Sequence, residues 1–210
     1  MPDTEKTMVA GQAATGAEPT TVLLCGVGGQ GTILAADLLA RSAMAAGWQV
    51  KLSEVHGMSQ RGGAVTTVVR FGETVASMVT DPGCADHIIA SETTEALRNL
   101  PYLKPTGRLL VSDEAIKPLP VLTGNALMPH DAKGALEKAG ARLIPAVRLA
   151  QSAGNTKCSN VVLLGALAQN LGFAPELWEE QIACRLPAPL VEVNLSAFRV
   201  GFAYDAKDFA

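Results

Sequence analysis

The sequence predicts an α/β domain with a mainly parallel sheet and a helical C-terminal portion. A short apolar run, residues 22–25, has the character of a strand buried on both faces. A glycine-rich loop, 26–31, follows it, and a stretch rich in alanine and leucine, 32–46, then favours a helix. Strand-like and helix-like segments alternate from there to residue 144, which is typical of α/β proteins. After residue 160 only helix-like segments follow.

Each later element has its own local signal. β-Branched runs predict strands, while Pro175 suits the first turn of a helix and Gly140 the end of one. The segment 64–71 is followed by the turn Gly72-Glu73, so we expect a hairpin with residues 74–79. The other predicted strands are 48–53, 87–90, 108–112, 126–128 and 142–144, and the other predicted helices are 92–100, 131–139, 160–171, 175–184 and 190–203.

Composition limits the classes of function. Of the 210 residues, 48% are hydrophobic, 18% are charged and 4% are aromatic, and the formal net charge is -3. A chain with no basic surplus and so few aromatic rings is not expected to bind nucleic acid. No apolar run reaches the length of a membrane span, so no membrane association is expected. The apolar surplus fits either a tight core of small residues or a surface that another chain covers.

The chain is interpreted as one domain with two flanks. Residues 1–20 are small, polar and unpatterned, so we expect a disordered lead-in. The domain itself is expected to span 21–204, and residues 205–210 form a tail. The lead-in lacks the apolar stretch of a secretory signal, so a cytoplasmic location is the default expectation.

Cysteine and histidine spacing argues against a metal site on this chain. Cys25, Cys84, Cys158 and Cys184 lie far apart, and no pair has the spacing of metal ligands or of an iron–sulfur motif. The three histidines form no HExxH pattern. We therefore expect reduced thiols and no metal bound by this chain alone.

The glycine loop predicts a phosphate-binding turn. Gly26, Gly28 and Gly31 fit the pattern G-x-G-x-x-G, after a predicted strand and before a predicted helix. Glycines let a phosphate approach the backbone N–H groups, and the helix N-terminus adds a partial positive charge. A tight turn that binds nothing is the alternative. Because Glu54 follows the second strand, a dinucleotide such as NAD also stays open as a ligand.

A second loop, residues 54–63, has an unusual mixture of polar residues and glycine. Arg61 offers a planar fork for phosphate or carboxylate, and His56 is either an ordinary hydrogen-bonded side chain or a titrating one. Long polar loops inside compact α/β domains are often functional. The candidate residues of this loop are Glu54, His56, Gly57, Ser59, Gln60, Arg61, Gly62 and Gly63.

Together the two loops carry a family resemblance. The segments GVGGQG and SEVHGMSQRGGAVTTVVRFG resemble the gamma-type domain of 2-oxoacid:ferredoxin oxidoreductases. More narrowly, they are similar to the small beta subunits of indolepyruvate ferredoxin oxidoreductases. The resemblance extends over about residues 21–204 and includes Glu95-Ala96-Leu97, Pro101 to Pro105, Gly154-Asn155, Asn160 to Leu167 and Glu192 to Phe198.

The resemblance implies a fold and a reaction. The fold is a three-layer Rossmann-like domain that packs against a larger partner subunit. The reaction is the oxidative decarboxylation of a 2-oxoacid, here indolepyruvate or another aryl 2-oxoacid, to the acyl-coenzyme A with ferredoxin as acceptor. Thiamine diphosphate, magnesium and 4Fe-4S clusters are expected on the partner, and coenzyme A is a candidate ligand of this chain. The chain alone is expected to be inactive, and self-association of the isolated chain stays open.

By position, the resemblance assigns two sets of site residues. A coenzyme A diphosphate would suit the first set together with Arg61, and the loop 54–63 would face the partner's active site. The helix beginning at Asn160 is a candidate for subunit contact. A free-standing NAD-dependent oxidoreductase and a non-catalytic scaffold are the alternatives. The phosphate-binding set is Gly26, Gly28, Gly29, Gln30, Gly31 and Thr32.

Overall fold

The computed structural model describes residues 18–56, 63–117 and 119–204. Its centre is a six-stranded sheet with the strand order β2-β3-β1-β4-β5-β6. Long apolar runs place β1 in the middle of the sheet, where both of its faces are covered. The strands are β1 (Thr20–Val27), β2 (Gln49–His56), β3 (Ala64–Gly72), β4 (Ala85–Ala90), β5 (Leu103–Ser112) and β6 (Arg142–Ile144).

Only one strand opposes the others. β1, β4, β5 and β6 pair in parallel, and β3 runs antiparallel to both β1 and β2. The prediction of a mainly parallel sheet with a helical C-terminal portion is therefore confirmed. The helices are α1 (Thr32–Ala45), α2 (Thr93–Asn99), α3 (Leu119–Leu122), α4 (Ala132–Lys138), α5 (Ala146–Ser152), α6 (Ser159–Ala168), α7 (Pro175–Arg185) and α8 (Ala188–Ala203).

Helices cover both faces of the sheet, so the domain has three layers with the sheet in the middle. Alternate residues of β1 point to opposite sides: Val22 and Leu24 join one core, and Leu23 and Cys25 join the other. The first core is the larger and includes α1 and the helices from α5 to α8. The second lies under α2 and α4. Among the described residues, no helix is long and apolar enough to cross a membrane.

The predicted hairpin between 64–71 and 74–79 is wrong. β3 pairs with β1 on one side and β2 on the other, so neither of its edges is left for a third strand. Residues 74–79 instead form an irregular strap that the sheet holds by hydrogen bonds. Lys51 Nζ donates to the carbonyl of Ala76 at 3.0 Å, and Arg70 Nη1 donates to that of Ser77 at 2.7 Å.

The predicted strand at 126–128 is also wrong. These residues form a loop, and Leu127 is 93% exposed. In the part of the chain that the structure describes, no strand pairs with this three-residue apolar stretch beside Pro129. Local β-propensity alone does not make a strand here.

Helix α6 lies in the core rather than at a subunit surface. All residues from Asn160 to Ala168 are buried, and α6 packs against α8 within the same chain. The candidacy of this helix for subunit contact is therefore wrong. The two helices touch backbone to backbone, because a Cβ placed on Gly165 would lie 2.2 Å from the Phe198 carbonyl oxygen. A Cβ on Gly201 would lie 2.0 Å from the Val162 carbonyl oxygen.

We predict that Gly165→Ala destabilises the fold by about 3 kcal/mol, since the added methyl must push two helix backbones apart. Urea denaturation of the chain measures the change. Glu192→Ala on the exposed side of α8 is the control and should stay within about 0.5 kcal/mol of the parent. Equal effects of the two substitutions would contradict the close helix contact.

We also predict a pH dependence that comes from His87 on β4. Burial lowers the pKa of this imidazole; Asp86 opposes the shift, and Arg108 adds to it. The folded state thus favours the neutral ring, and the unfolded chain binds the proton at higher pH. The contribution of His87 to the free energy of unfolding is therefore fully present above the ordinary histidine pKa of about 6.5. It is lost progressively as the pH falls below that value.

Unfolding free energies at about pH 7.5 and about pH 5.5 test this dependence. The loss between the two values should be smaller in His87→Gln than in the parent chain. His130→Gln, a change at an exposed histidine, should leave the loss as it is. If His87→Gln loses as much unfolding free energy between the two pH values as the parent chain does, other groups cause the pH dependence.

Candidate functional site

The glycine loop connects the carboxyl end of β1 to the N-terminus of α1. Gly29 has a φ of 102° and Gly31 a φ of 75°, which are left-handed values that favour glycine. Gly31 is the N-cap of α1, with no side-chain cap and no acidic residue in the first turn. The first N–H groups of a helix have no partners within it, so this end can bind an anion.

A cleft of about 990 Å³ opens in front of this helix end. Gly28, Gly29, Gly31 and Thr32 form one wall, so four of the six predicted phosphate-binding residues meet here. The cleft is also lined by Leu52 and Glu54 on β2, Val65 on β3 and Arg185 on α7, and along α1 by Ile33, Leu34, Asp37 and Arg41.

Thr32 is the first residue of α1 and lines the cleft. It is only 5% exposed, and its hydroxyl forms no hydrogen bond to any residue that the structure describes. Buried hydroxyl groups normally have a partner. The hydroxyl oxygen is itself buried, so a ligand acceptor would reach it once the side chain rotates toward the cleft.

Two arginines supply positive charge to the cleft. Arg41 Nε donates to Asp37 Oδ1 at 3.0 Å, and Arg185 Nε donates to the other oxygen of the same carboxylate. Both arginine side chains are about two-fifths exposed, and only the Nε atom of each is used in these bonds to Asp37. None of these three residues is among the site residues predicted from the sequence. The spacing of Asp37 and Arg41 on α1 could have indicated their pairing, whereas no local signal marks Arg185.

Gln30 and Gly26, the other two predicted phosphate-binding residues, face away from the cleft. The backbone N–H of Val27 donates to Gln30 Oε1 at 2.8 Å, and Gln30 Nε2 donates to the carbonyl of Ser91 at 3.1 Å. A Cβ on Gly26 would lie 2.7 Å from Gln30 Oε1, so a larger residue there would displace this amide. These two residues stabilise the conformation of the loop and do not line the cleft.

The two predicted loops meet through one backbone hydrogen bond. The N–H of Gly28 donates to the carbonyl of Gly63 at 2.8 Å. Glu54 is exposed and lines the cleft, and His56 is the last residue of β2. Gly57, Ser59, Gln60, Arg61 and Gly62 lie outside the described residues, so their assignment stays a prediction.

Asn160 braces the glycine loop from the core side. It is buried at the start of α6, and its Nδ2 donates to the carbonyl of Gly31 at 3.0 Å. A Cβ on Gly31 would lie 2.6 Å from that nitrogen. The loop is therefore fixed both by its own backbone conformation and by a side chain from a distant helix.

The thiols of Cys25, Cys84 and Cys158 are poor nucleophiles. Burial raises the pKa of Cys25 well above its ordinary value, and burial also raises the pKa of Cys84 and Cys158. A protonated thiol neither attacks a carbonyl nor binds a metal readily. Within residues 18–56, 63–117 and 119–204, no three His, Cys, Asp or Glu side chains are grouped to hold a metal ion.

A comparison with protein families matches residues 21–204 to the model described as pyruvate ferredoxin/flavodoxin oxidoreductase. The chain belongs to this family. Among curated relatives, indolepyruvate oxidoreductase subunit IorB of Thermococcus kodakarensis is 41% identical over 187 residues, which cover 86% of this chain and 93% of the relative. The resemblance drawn from the two loops is thereby confirmed, and the chain is of the small-subunit type of 2-oxoacid oxidoreductases.

Solved structures share the fold. The gamma subunit of keto/oxoacid ferredoxin oxidoreductase from Geobacter sulfurreducens has a TM-score of 0.65 and 26% identity, over 87% of this chain and 96% of that one. The 2-oxoglutarate:ferredoxin oxidoreductase from Magnetococcus marinus has a TM-score of 0.70 at 20% identity. The match covers 92% of this chain and 32% of that one. The latter structure has 2-oxoglutarate, coenzyme A and succinyl-CoA bound.

We predict that the stability costs of Gly31→Ala and Asn160→Ala are strongly coupled. The alanine methyl at 31 collides with the Asn160 amide, so removal of that amide should relieve about 1–2 kcal/mol of the cost of Gly31→Ala. Denaturant unfolding of both single variants and the double variant measures the coupling.

Gly29→Ala is the matched control for this cycle. Its methyl meets nothing within 4 Å, so its cost comes from the backbone alone and should not depend on Asn160. Additive costs for Gly31→Ala and Asn160→Ala would refute the brace.

Proposed function

We propose that this chain is the small subunit of an indolepyruvate:ferredoxin oxidoreductase or of an enzyme for a similar aryl 2-oxoacid. The 41% identity to an indolepyruvate oxidoreductase subunit supports this substrate class. In this proposal, a larger partner subunit carries thiamine diphosphate, magnesium and 4Fe-4S clusters, and ferredoxin accepts the electrons. Those groups supply the decarboxylation and the electron transfer, whereas this chain supplies a binding surface.

We propose further that the cleft between α1, β2 and α7 binds the diphosphate of coenzyme A. The observation that carries this assignment is the uncapped N-terminus of α1 beside the buried, unpaired hydroxyl of Thr32. Coenzyme A bound to the enzyme of Magnetococcus marinus supports the choice of ligand.

The residues present fit such a ligand. The N–H groups of Gly31 and Thr32 and the Thr32 hydroxyl would donate to phosphate oxygens. Arg41 and Arg185 would add charge-assisted donors while Asp37 keeps their guanidinium groups oriented. Leu52 and Val65 offer apolar surface for the remaining parts of the ligand. Arg61 remains an additional candidate for the same phosphates.

A dinucleotide is the second candidate ligand. Glu54 on β2 lines the same cleft as the glycine loop, where a carboxylate could accept hydrogen bonds from a ribose. This arrangement keeps a stand-alone NAD-dependent oxidoreductase open as an alternative function. A scaffold that only completes its partner's fold would bind neither ligand.

We predict that Arg185→Ala and Arg41→Ala each weaken coenzyme A binding about tenfold in the enzyme purified with its native partner. The basis is the loss of a charge-assisted hydrogen bond to phosphate. Isothermal titration calorimetry on the complex measures the affinity. Arg199→Ala is the matched control, because Arg199 pairs with Glu179 outside the cleft and should leave the affinity unchanged.

Two outcomes would contradict the proposal. Parental affinity in both cleft variants would place coenzyme A elsewhere in the enzyme. A binding response to NAD with none to coenzyme A would favour the stand-alone oxidoreductase. Mass spectrometry of the co-purified partner tests the subunit assignment separately, since that partner should contain a thiamine site and cysteine motifs for clusters.

A further inference from the structure

The crevice between β1 and β4 is the position where open α/β sheets commonly bind ligands. β1 continues through α1 to β2 on one side of the sheet, and β4 continues through α2 to β5 on the other. The order of connections therefore reverses between these two parallel strands. Dinucleotides bind across such a crevice, outside the carboxyl ends of the strands.

In this chain the side chain of Gln30 fills the crevice. It accepts from the N–H of Val27 at the end of β1 and donates to the carbonyl of Ser91 after β4. The N–H of Ser91 in turn donates to the carbonyl of Cys25 at 2.8 Å. One amide thus joins the two strand ends across the space where a ligand would enter.

The far side of the crevice is also closed to anions. α2 begins there, and the Glu92 carboxylate accepts from the N–H groups of Thr94 and Glu95 at its first turn. Glu92 is 1% exposed. This helix end therefore carries its own negative group, and a phosphate would meet repulsion rather than free donors.

On the β2 side the loop stays open. Gly29 is exposed, and Gly29, Gly31 and Thr32 line the cleft, whereas Gln30 does not. The N–H of Gly28 is already bonded to the carbonyl of Gly63. The donors left for a phosphate therefore belong to the α1 side of the loop alone.

We propose that Gln30 is a positioning residue that closes the β1–β4 crevice and confines phosphate binding to the α1–β2 side of the glycine loop. This proposal rests on the proposed function, in which coenzyme A is the ligand. Coenzyme A presents its diphosphate to the loop from one side. A dinucleotide, the second candidate ligand, would have to displace the Gln30 amide in order to span the crevice.

The test uses the full enzyme with its native partner and the variants Gln30→Met and Gln30→Glu. Methionine has a similar length but removes both hydrogen bonds. Glutamate keeps an acceptor for Val27 and sets a carboxylate oxygen against the Ser91 carbonyl. In both variants the KM for coenzyme A should rise about tenfold with little change in kcat, because the loop donors lose their alignment.

The diagnostic readout is ligand selectivity. In Gln30→Met, opening of the crevice should raise the dissociation constants of coenzyme A and inorganic pyrophosphate and lower that of NAD, so the ratio of the NAD constant to the coenzyme A constant should fall. A residue that only stabilises the fold would weaken all three ligands together. Gln151→Met, at an exposed position on α5, is the control and should change none of them.

The outcomes separate the two proposals. If the parent enzyme binds coenzyme A and pyrophosphate but both Gln30 variants keep the parental affinities and selectivity, the role of Gln30 is overturned and the proposed function stands. If NAD weakens in parallel with coenzyme A, Gln30 is only structural. If the parent enzyme binds neither phosphate ligand, both proposals fail.

Discussion

The exit of β1 into α1 is the constraint on which the rest of the structure depends. β1 lies in the middle of the sheet, with its side chains buried on both faces, and residues 28–31 must turn it directly into a helix. The turn needs a left-handed residue at Gly31, where an added Cβ would also collide with the Asn160 amide. Because α1 starts at this point, Asp37 and Arg41 lie on successive turns of the helix and line the same cleft. The chemistry of the cleft therefore follows from a backbone requirement.

Local patterns were sufficient for most of the fold and for part of the site. β1, α1, α7 and β6 follow from apolar runs, helix formers and terminal residues that lie within a few positions of each other. Residues 74–79 show the limit of this reasoning, since their β-branched character indicates a half-buried segment but not whether a strand edge is free beside it. Arg185 shows the same limit in the site. It reaches the cleft only because α7 packs against α1, and no spacing in the sequence expresses that contact.

For Gln30 the sequence indicates the position in the loop but not the direction of the side chain. The motif places this position in the glycine loop, and in the structure its amide bonds to the protein rather than lining the cleft. A glutamine carries a donor and an acceptor, and the strand ends beside it offer one group of each kind. Sequence reasoning identifies which residues gather at a strand end. The direction of a side chain depends on which buried backbone groups still need a partner.

The contact between Gly165 and Gly201 has a mechanical consequence. Carbonyl oxygens of each helix occupy the notch that a glycine leaves in the other, so a slide by one residue would force a side chain into backbone. α6 and α8 must therefore move as one rigid plate beneath α1. The cleft is lined by the glycine loop, α1, α7, β2 and β3 and by neither of these two helices, so its width can change while their contact stays intact. Of these elements β2 is an edge strand of the sheet and can bend without disturbing the plate.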